Sequence, residues 1–265
     1  MRSTYGVTDW IKRRTPAIVA RDASSSNASM SGKSQEQRVL RELRERRIRG
    51  VAFDWDLTAY CFHSGGRLRG SRQEQDERLT HGMSSDFRAL FNALLTARAS
   101  CASVRDQDKA LKLGQGADAA AQLPEFKLAI LTHSDPQHAS WAKADPQTGD
   151  PALGGESMVR RGLQLNFGET NGADLDAVVV VALYPSLYQK KEEYESIGLT
   201  QPPPPGKQFH LQTFRAAHGL EPGEIVLIDD DMTNVEQARR LGYHAVLVRG
   251  QGFVFEDFFD AFFML

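Results

Sequence analysis

The chain has 265 residues, enough for one large domain or two small ones around a sizeable core. Hydrophobic residues make up 41% and charged residues 25%, mean hydropathy is −0.42, and no apolar run approaches the ~18 residues of a membrane span, which excludes a helical membrane protein and a wholly disordered one. A net charge of −2 argues against specific nucleic-acid binding, and two cysteines, Cys61 and Cys101, without a CxxC exclude a disulfide framework or a Cys-rich zinc site and point to the cytoplasm or another reducing compartment.

The near-neutral total hides an asymmetry. Residues 1–50 hold 12 basic and 5 acidic residues, a local charge of +7; the other 215 hold 20 and 29, a charge of −9. Residues 1–34 have no sustained period, and their Ser-rich stretch from Asp22 to Gly32 reads as a flexible leader. The leader lacks the apolar region of a secretory signal. Its Arg and Ser content suits organelle targeting, while Asp9 and Asp22 do not, and the plain alternative is a solvated tail. Residues 35–49 read as a basic amphipathic helix over 35–48, with Val39, Leu40, Leu43 and Ile48 as its apolar stripe.

From residue 50 to 265 short apolar runs alternate with helical stretches. The runs 51–55, 128–132, 178–183, 225–228 and 244–248 predict strands buried on both faces; 84–98, 136–143, 207–218 and 232–241 predict helices, the last stopped at Gly242. That alternation implies right-handed βαβ units and a Rossmann-like three-layer α/β/α parallel sheet. Residues 59–83 are read as a flap region, with Ser64-Gly65-Gly66 turning a short hairpin, and 99–122 as a variable insertion. Pro202–Pro205 must be extended and leads to Gly206-Lys207. The end of the chain carries six Phe from 253 to 263, read as a last helix packed on the core, with a self-association or partner surface as the alternative.

Two predicted strands end in carboxylates. The first ends in Asp54 and Asp56; the fourth ends in Asp229, Asp230 and Asp231, with Asn234 in the helix that follows. Ligands of open α/β sheets sit outside the carboxyl ends of strands, so these acids lie where a crevice is expected. Five carboxylates there repel unless a cation offsets them, and oxygen-only ligands suit Mg²⁺, whereas the lack of a Cys or His cluster is a poor fit for zinc. Asp231 reads as a helix N-cap. Thr132 ends the second strand and Lys207 opens a helix; a hydroxyl and an ammonium beside paired carboxylates are equipment for phosphoryl transfer. His133 and His210 neighbour these residues and read as structural or substrate-adjacent.

The segment FDWDLT resembles the first motif, DxDxT, of the haloacid dehalogenase (HAD) superfamily. LAILT ending at Thr132 resembles its second motif, Lys207 its third, and LIDD ending at Asp230, with Asn234, its fourth; all four stand in the family's order over roughly residues 50–250. The resemblance implies a HAD-like fold and a Mg²⁺-dependent phosphatase acting through an aspartyl-phosphate. It assigns Asp54 as nucleophile, Asp56 as general acid/base, Thr58 as a brace of the first-motif loop, and Thr132, His133 and Lys207 as phosphate-binding. It further implies a metal site of Asp54, the Asp56 carbonyl and Asp230, with Asp229 in support and Asn234 orienting it. Gaps of 73 and 74 residues between motifs leave no room for a large cap. The chain therefore resembles the capless or small-cap members, such as the magnesium-dependent phosphatase, whose open sites suit phosphoproteins or other exposed phosphoesters. Arg67, Arg69 and Arg72 near the flap either steer an anionic substrate or solvate a loop. A phosphotransferase or phosphomutase and a catalytically weak scaffold are the alternatives; a receiver-type signalling module is disfavoured because the acids stand in the wrong order.

Overall fold

The computed structural model describes residues 34–111, 125–135, 148–169 and 174–263, with the side chains of 99–111 excepted. Helix α1 spans Gln35–Glu45, and β1, Gly50–Asp54, follows it. The two-residue strand β2, Arg67–Leu68, precedes α2, Arg72–His81, and α3, Ser85–Leu111. Strand β3 is Lys127–Thr132; β4, Leu153–Gly154, runs into α4, Gly155–Phe167. Strand β5, Val179–Ala182, is followed by α5, Lys191–Ser196, and α6, Gln208–His218. Then come β6, Ile225–Asp229, α7, Met232–Arg240, β7, His244–Leu247, and α8, Phe255–Phe263. The expected leader, the helix 136–143 and residues 112–122 of the expected insertion lie outside the described residues.

Five strands pair in parallel in the order β5-β3-β1-β6-β7. Their side chains alternate between two apolar layers, as the period of a strand requires. Val51, Phe53, Leu128, Ile130, Val226 and Ile228 join one layer, beneath α1, α3, α4 and α8. Ala52, Ala129, Leu131, Ile225 and Leu227 join the other, beneath α6 and α7. The sheet is thus buried on both faces, and the three-layer α/β/α reading holds. The chain steps from β1 to β3 and β5, then returns to β6 on the other side of β1. That reversal opens a crevice between the carboxyl ends of β1 and β6.

The ends of the molecule pack on this frame. Val39 and Leu43 of α1 are fully buried. The helix stops earlier than its apolar stripe suggests: Arg47 adopts φ 59°, and the Ile48 N–H bonds to Leu43 O at 2.8 Å, a left-handed close that still delivers Ile48 to the core. Four of the six C-terminal Phe (253, 255, 258 and 262) are buried, and Arg38 and Arg46 of α1 stack on Phe259 and Phe262. Among the described residues no helix is long and apolar enough to cross a membrane.

The flap differs from expectation. Residues 64–66 do not turn a local hairpin; β2 pairs antiparallel with β4, more than eighty residues on, in a separate two-stranded ribbon. Helix α2 then occupies the rest of the region. Arg161 of α4 grips Asp76 of α2 with two hydrogen bonds, Nε at 2.9 Å and Nη2 at 2.6 Å. Gln75 bonds to Gly70 O and Pro151 O, fixing α2 beside the ribbon.

Candidate active site

Asp54 is the last residue of β1, 7% exposed at the mouth of the crevice. The chain then makes one wide turn, Trp55–Ala59, closed by the Tyr60 N–H on Trp55 O at 3.1 Å. Asp56 keeps an extended conformation within it, and Leu57 takes φ 56°. This reversal aims Asp54 and Asp56 into one cavity of about 370 Å³. The turn is braced through its main chain: Gly252 N–H reaches Leu57 O at 2.9 Å and Phe253 N–H reaches Thr58 O at 2.8 Å. Thr58 is fully buried and its hydroxyl has no partner among the described residues, so the bracing expected of that side chain falls to the backbone and the C-terminal segment instead.

Lys207 arrives from the opposite wall. Gly206 before it has φ 65°, and a Cβ there would stand 2.9 Å from Asn234 Oδ1 and 2.7 Å from Gln237 Oε1; only glycine lets the chain pass this close to α7. The Lys207 side chain is 2% exposed, and Nζ donates to Asp54 Oδ1 at 2.6 Å and to Leu131 O at 2.7 Å. A buried ammonium is tolerable only when paired in this way.

At the end of β6, Asp229 is fully buried. Its Oδ1 accepts from the Asp231 N–H at 2.9 Å and from Asn234 Nδ2 at 3.1 Å, and Oδ2 from the same amide at 3.2 Å. Burial, and then the charge of Asp54, hold the Asp229 carboxyl well above the usual range and push Asp230 up to about 6. Asp56 is raised by burial too, against hydrogen bonds from Ser64. Asp231 caps α7 by accepting from the Thr233 N–H at 2.8 Å, as its position suggested.

Thr132 is buried at the end of β3 and lines the same cavity. His133 Nε2 lies 3.2 Å from Gly206 O, a carbonyl that can only accept, so Nε2 is the protonated nitrogen and donates to it; the ring meets Tyr184 at 5.6 Å. Burial and then Lys207 push His133 down to about 4, so it faces the cavity as a neutral ring. His210 lies behind it, its Nε2 within 3.0 Å of Leu183 O and 3.2 Å of Thr132 O, tying β3 to β5. Burial drives its proton affinity well down. The cavity thus gathers Asp54, Asp56, Thr132, His133, Lys207, Asp229, Asp230, Asp231 and Asn234, and adds Tyr184, His63, Gly65 and Gly66. Gly65 and Gly66 belong to the expected flap, whereas Tyr184 and His63 carry no sequence signal that would have marked them. Arg67, Arg69 and Arg72 do not line the cavity; Arg69 lines a separate cleft over α2.

A divalent cation fits the chemistry of this donor set. One ammonium stands among five carboxylates, whose oxygens suit a hard cation, and Asp56 Oδ1 is buried with no partner among the described residues. Among the described residues no three His, Cys, Asp or Glu side chains form a ready metal cage.

Fold and site together define a doubly wound α/β protein with a carboxylate-lined crevice where the strand order reverses. No known protein-family model and no curated protein matches the sequence. Among solved structures the chain is similar to one described as a predicted HAD-like family hydrolase from Porphyromonas gingivalis, at 17% identity and TM-score 0.30, over 76% of this chain and 91% of that one.

Proposed function

We propose that this chain is a Mg²⁺-dependent phosphomonoesterase of HAD type that works through an aspartyl-phosphate on Asp54. The observation that carries the reading is Asp54 itself: a carboxylate buried at the switch point of the sheet, gripped by a buried ammonium, with Asp56 on the same cavity.

In this reading Asp54 attacks phosphorus, and the bond to the ester oxygen breaks as that oxygen takes a proton from Asp56. A water then attacks the phosphoryl group, giving its proton to Asp56, and the Asp54 carboxylate is released. Lys207 orients Asp54 and neutralises phosphoryl charge; the Thr132 hydroxyl donates to a phosphoryl oxygen, and the neutral His133 ring borders it. Asp54, the Asp56 carbonyl and Asp230 would hold Mg²⁺, which would offset the negative charge of phosphate and carboxylates. Asp229 has both oxygens engaged by Asn234 and the Asp231 N–H, which supports Asp230 as the direct ligand and Asp229 as its support. His63, Gly65 and Gly66 of the flap loop and Tyr184 line the cavity beside the acids, and the substrate in this reading is an exposed phosphate on a small molecule or a phosphoprotein.

The test is hydrolysis of 4-nitrophenyl phosphate with Mg²⁺, with EDTA, and with Asp54→Asn. The expected result is turnover that needs both the metal and Asp54; turnover that survives either loss rejects the mechanism.

A further inference from the structure

We propose that Ser64 and Ser134 form a clasp that holds the Asp56 carboxyl, through Oδ2, in the position from which it gives and takes the proton. The inference rests on the phosphatase reading above and makes Ser64 its positioning residue.

Asp56 lies in a turn, so the sheet does not fix its side chain. Ser64 does: its N–H donates to Oδ2 at 3.0 Å and its hydroxyl donates to the same oxygen at 2.8 Å. The hydroxyl in turn accepts from the Gly66 N–H at 3.0 Å, which sets its direction. Two donors on one oxygen fix the direction of the whole carboxyl, while Oδ1 is buried without a partner among the described residues. His63 Nδ1 stands 2.9 Å from both the Gly65 nitrogen and Asp56 Oδ2; it accepts from the first when it carries no proton or donates to the second when it does, never both together.

Ser64 would wander with its loop if nothing anchored it. Ser134, fully buried two residues past Thr132, supplies the anchor: its hydroxyl donates to Gly66 O and accepts from the Gly155 N–H at 2.5 Å. One hydroxyl thus joins the end of β3, the flap loop and the start of α4. Gly154 leaves room for this knot, since a Cβ there would stand 3.0 Å from Gly66 O and 3.5 Å from Ser134 Oγ. The chain Ser134–Gly66–Ser64–Asp56 fixes the acid relative to Thr132, the residue expected to hold the phosphoryl group.

In the first step the proton leaves the Asp56 carboxyl for the ester oxygen as the phosphorus–oxygen bond breaks. In the second, that carboxylate takes a proton from the attacking water as the bond from phosphorus to Asp54 breaks. A poor leaving group needs that proton more than a good one.

The experiment compares phenyl phosphate with 4-nitrophenyl phosphate, which have the same shape and differ in how far the leaving oxygen needs protonation. It uses the full chain with Mg²⁺. Ser64→Ala is expected to lower kcat on phenyl phosphate about tenfold more than on 4-nitrophenyl phosphate, with KM unchanged, as loss of part of a general-acid contribution requires. Ser134→Ala shifts the same ratio in the same direction, and Ser64→Thr, which keeps the hydroxyl, restores it. Ser64→Cys, close in size and a weaker donor, gives the same readout if Ser64→Ala does not fold. In an Asp56→Asn background Ser64→Ala no longer changes the ratio. An equal loss on both esters, or a shift that persists without Asp56, overturns the clasp while leaving the phosphatase reading intact. A wild-type chain that hydrolyses neither ester overturns both.

Discussion

The two ends of the central sheet obey opposite rules. At the amino end Gly50 sits among Leu220, Ile225 and Phe214 so closely that a Cβ would stand 2.9–3.0 Å from each, and the neighbouring charge, Arg49, pairs with Glu224 at 2.9 Å, part-exposed to solvent. At the carboxyl end the same strands bury Asp54, Asp229 and Lys207 together. Apolar contact stabilises the first end. The second gathers like charges that raise one another's proton affinity, which costs stability and suits chemistry. A fold that spends its central strands this way keeps its stability and its reactivity on opposite edges of one sheet.

Substitutions at the two ends should therefore separate cleanly. Asp54→Asn is expected to lower kcat/KM on 4-nitrophenyl phosphate by at least about 10³-fold, as loss of a nucleophile does, with an unchanged circular dichroism spectrum. Lys207→Met follows, at about 10²- to 10³-fold in kcat, and it also destabilises the chain by roughly 3–5 kcal/mol in urea titration, because Asp54 loses the partner of a buried pair. Gly50→Ala has the reverse signature: a loss of about 1–3 kcal/mol from overpacking, and kcat unchanged at a temperature where the protein stays folded. A Gly50→Ala that lowers kcat without destabilising the chain would break the comparison.

The smallest effect is that of pH. His133 and His210 fold with depressed proton affinities, while their unfolded counterparts titrate near 6.5. Their contribution to stability is complete above about 6.5 and is lost as pH falls below it, toward about 4 for His133. The slope reaches about 1.4 kcal/mol per pH unit for each proton taken up on unfolding. Asp229 and Asp230, with raised affinities, titrate with the opposite sign, so the readout is a difference. Between pH 7.5 and 5.5 the urea midpoint of His210→Gln should fall less than that of the wild type.

Much of this arrangement is legible in the sequence. Runs such as Leu128–Leu131 are apolar at every position because both faces of β3 are covered, and the break from apolar to acidic at Asp54 and Asp229 coincides with the strand ends. What stays hidden has little burial to announce it. Helix α2 buries only Gln75 and Leu79, so it has no apolar stripe; its start was nonetheless written in the capping box of Ser71 and Glu74. Strands β2 and β4 are two residues each, too short for any period, and they pair across a long stretch of chain, so the flap could not be read as a ribbon. Thr58 sits where a family pattern puts a brace, yet its hydroxyl stands alone and the support comes from Gly252 and Phe253, a contact between distant segments that no local pattern encodes.

The central claim is a phosphoryl group carried by Asp54. Acid quench during steady-state turnover of 4-nitrophenyl phosphate with Mg²⁺, then borohydride reduction and peptide mass spectrometry, tests it most directly. An acyl phosphate is reduced to an alcohol, so the account predicts homoserine at position 54 in the wild type and none without substrate. Homoserine at another carboxylate, or an unmodified Asp54 in a chain that is turning over under conditions where the intermediate accumulates in the quench, would contradict it.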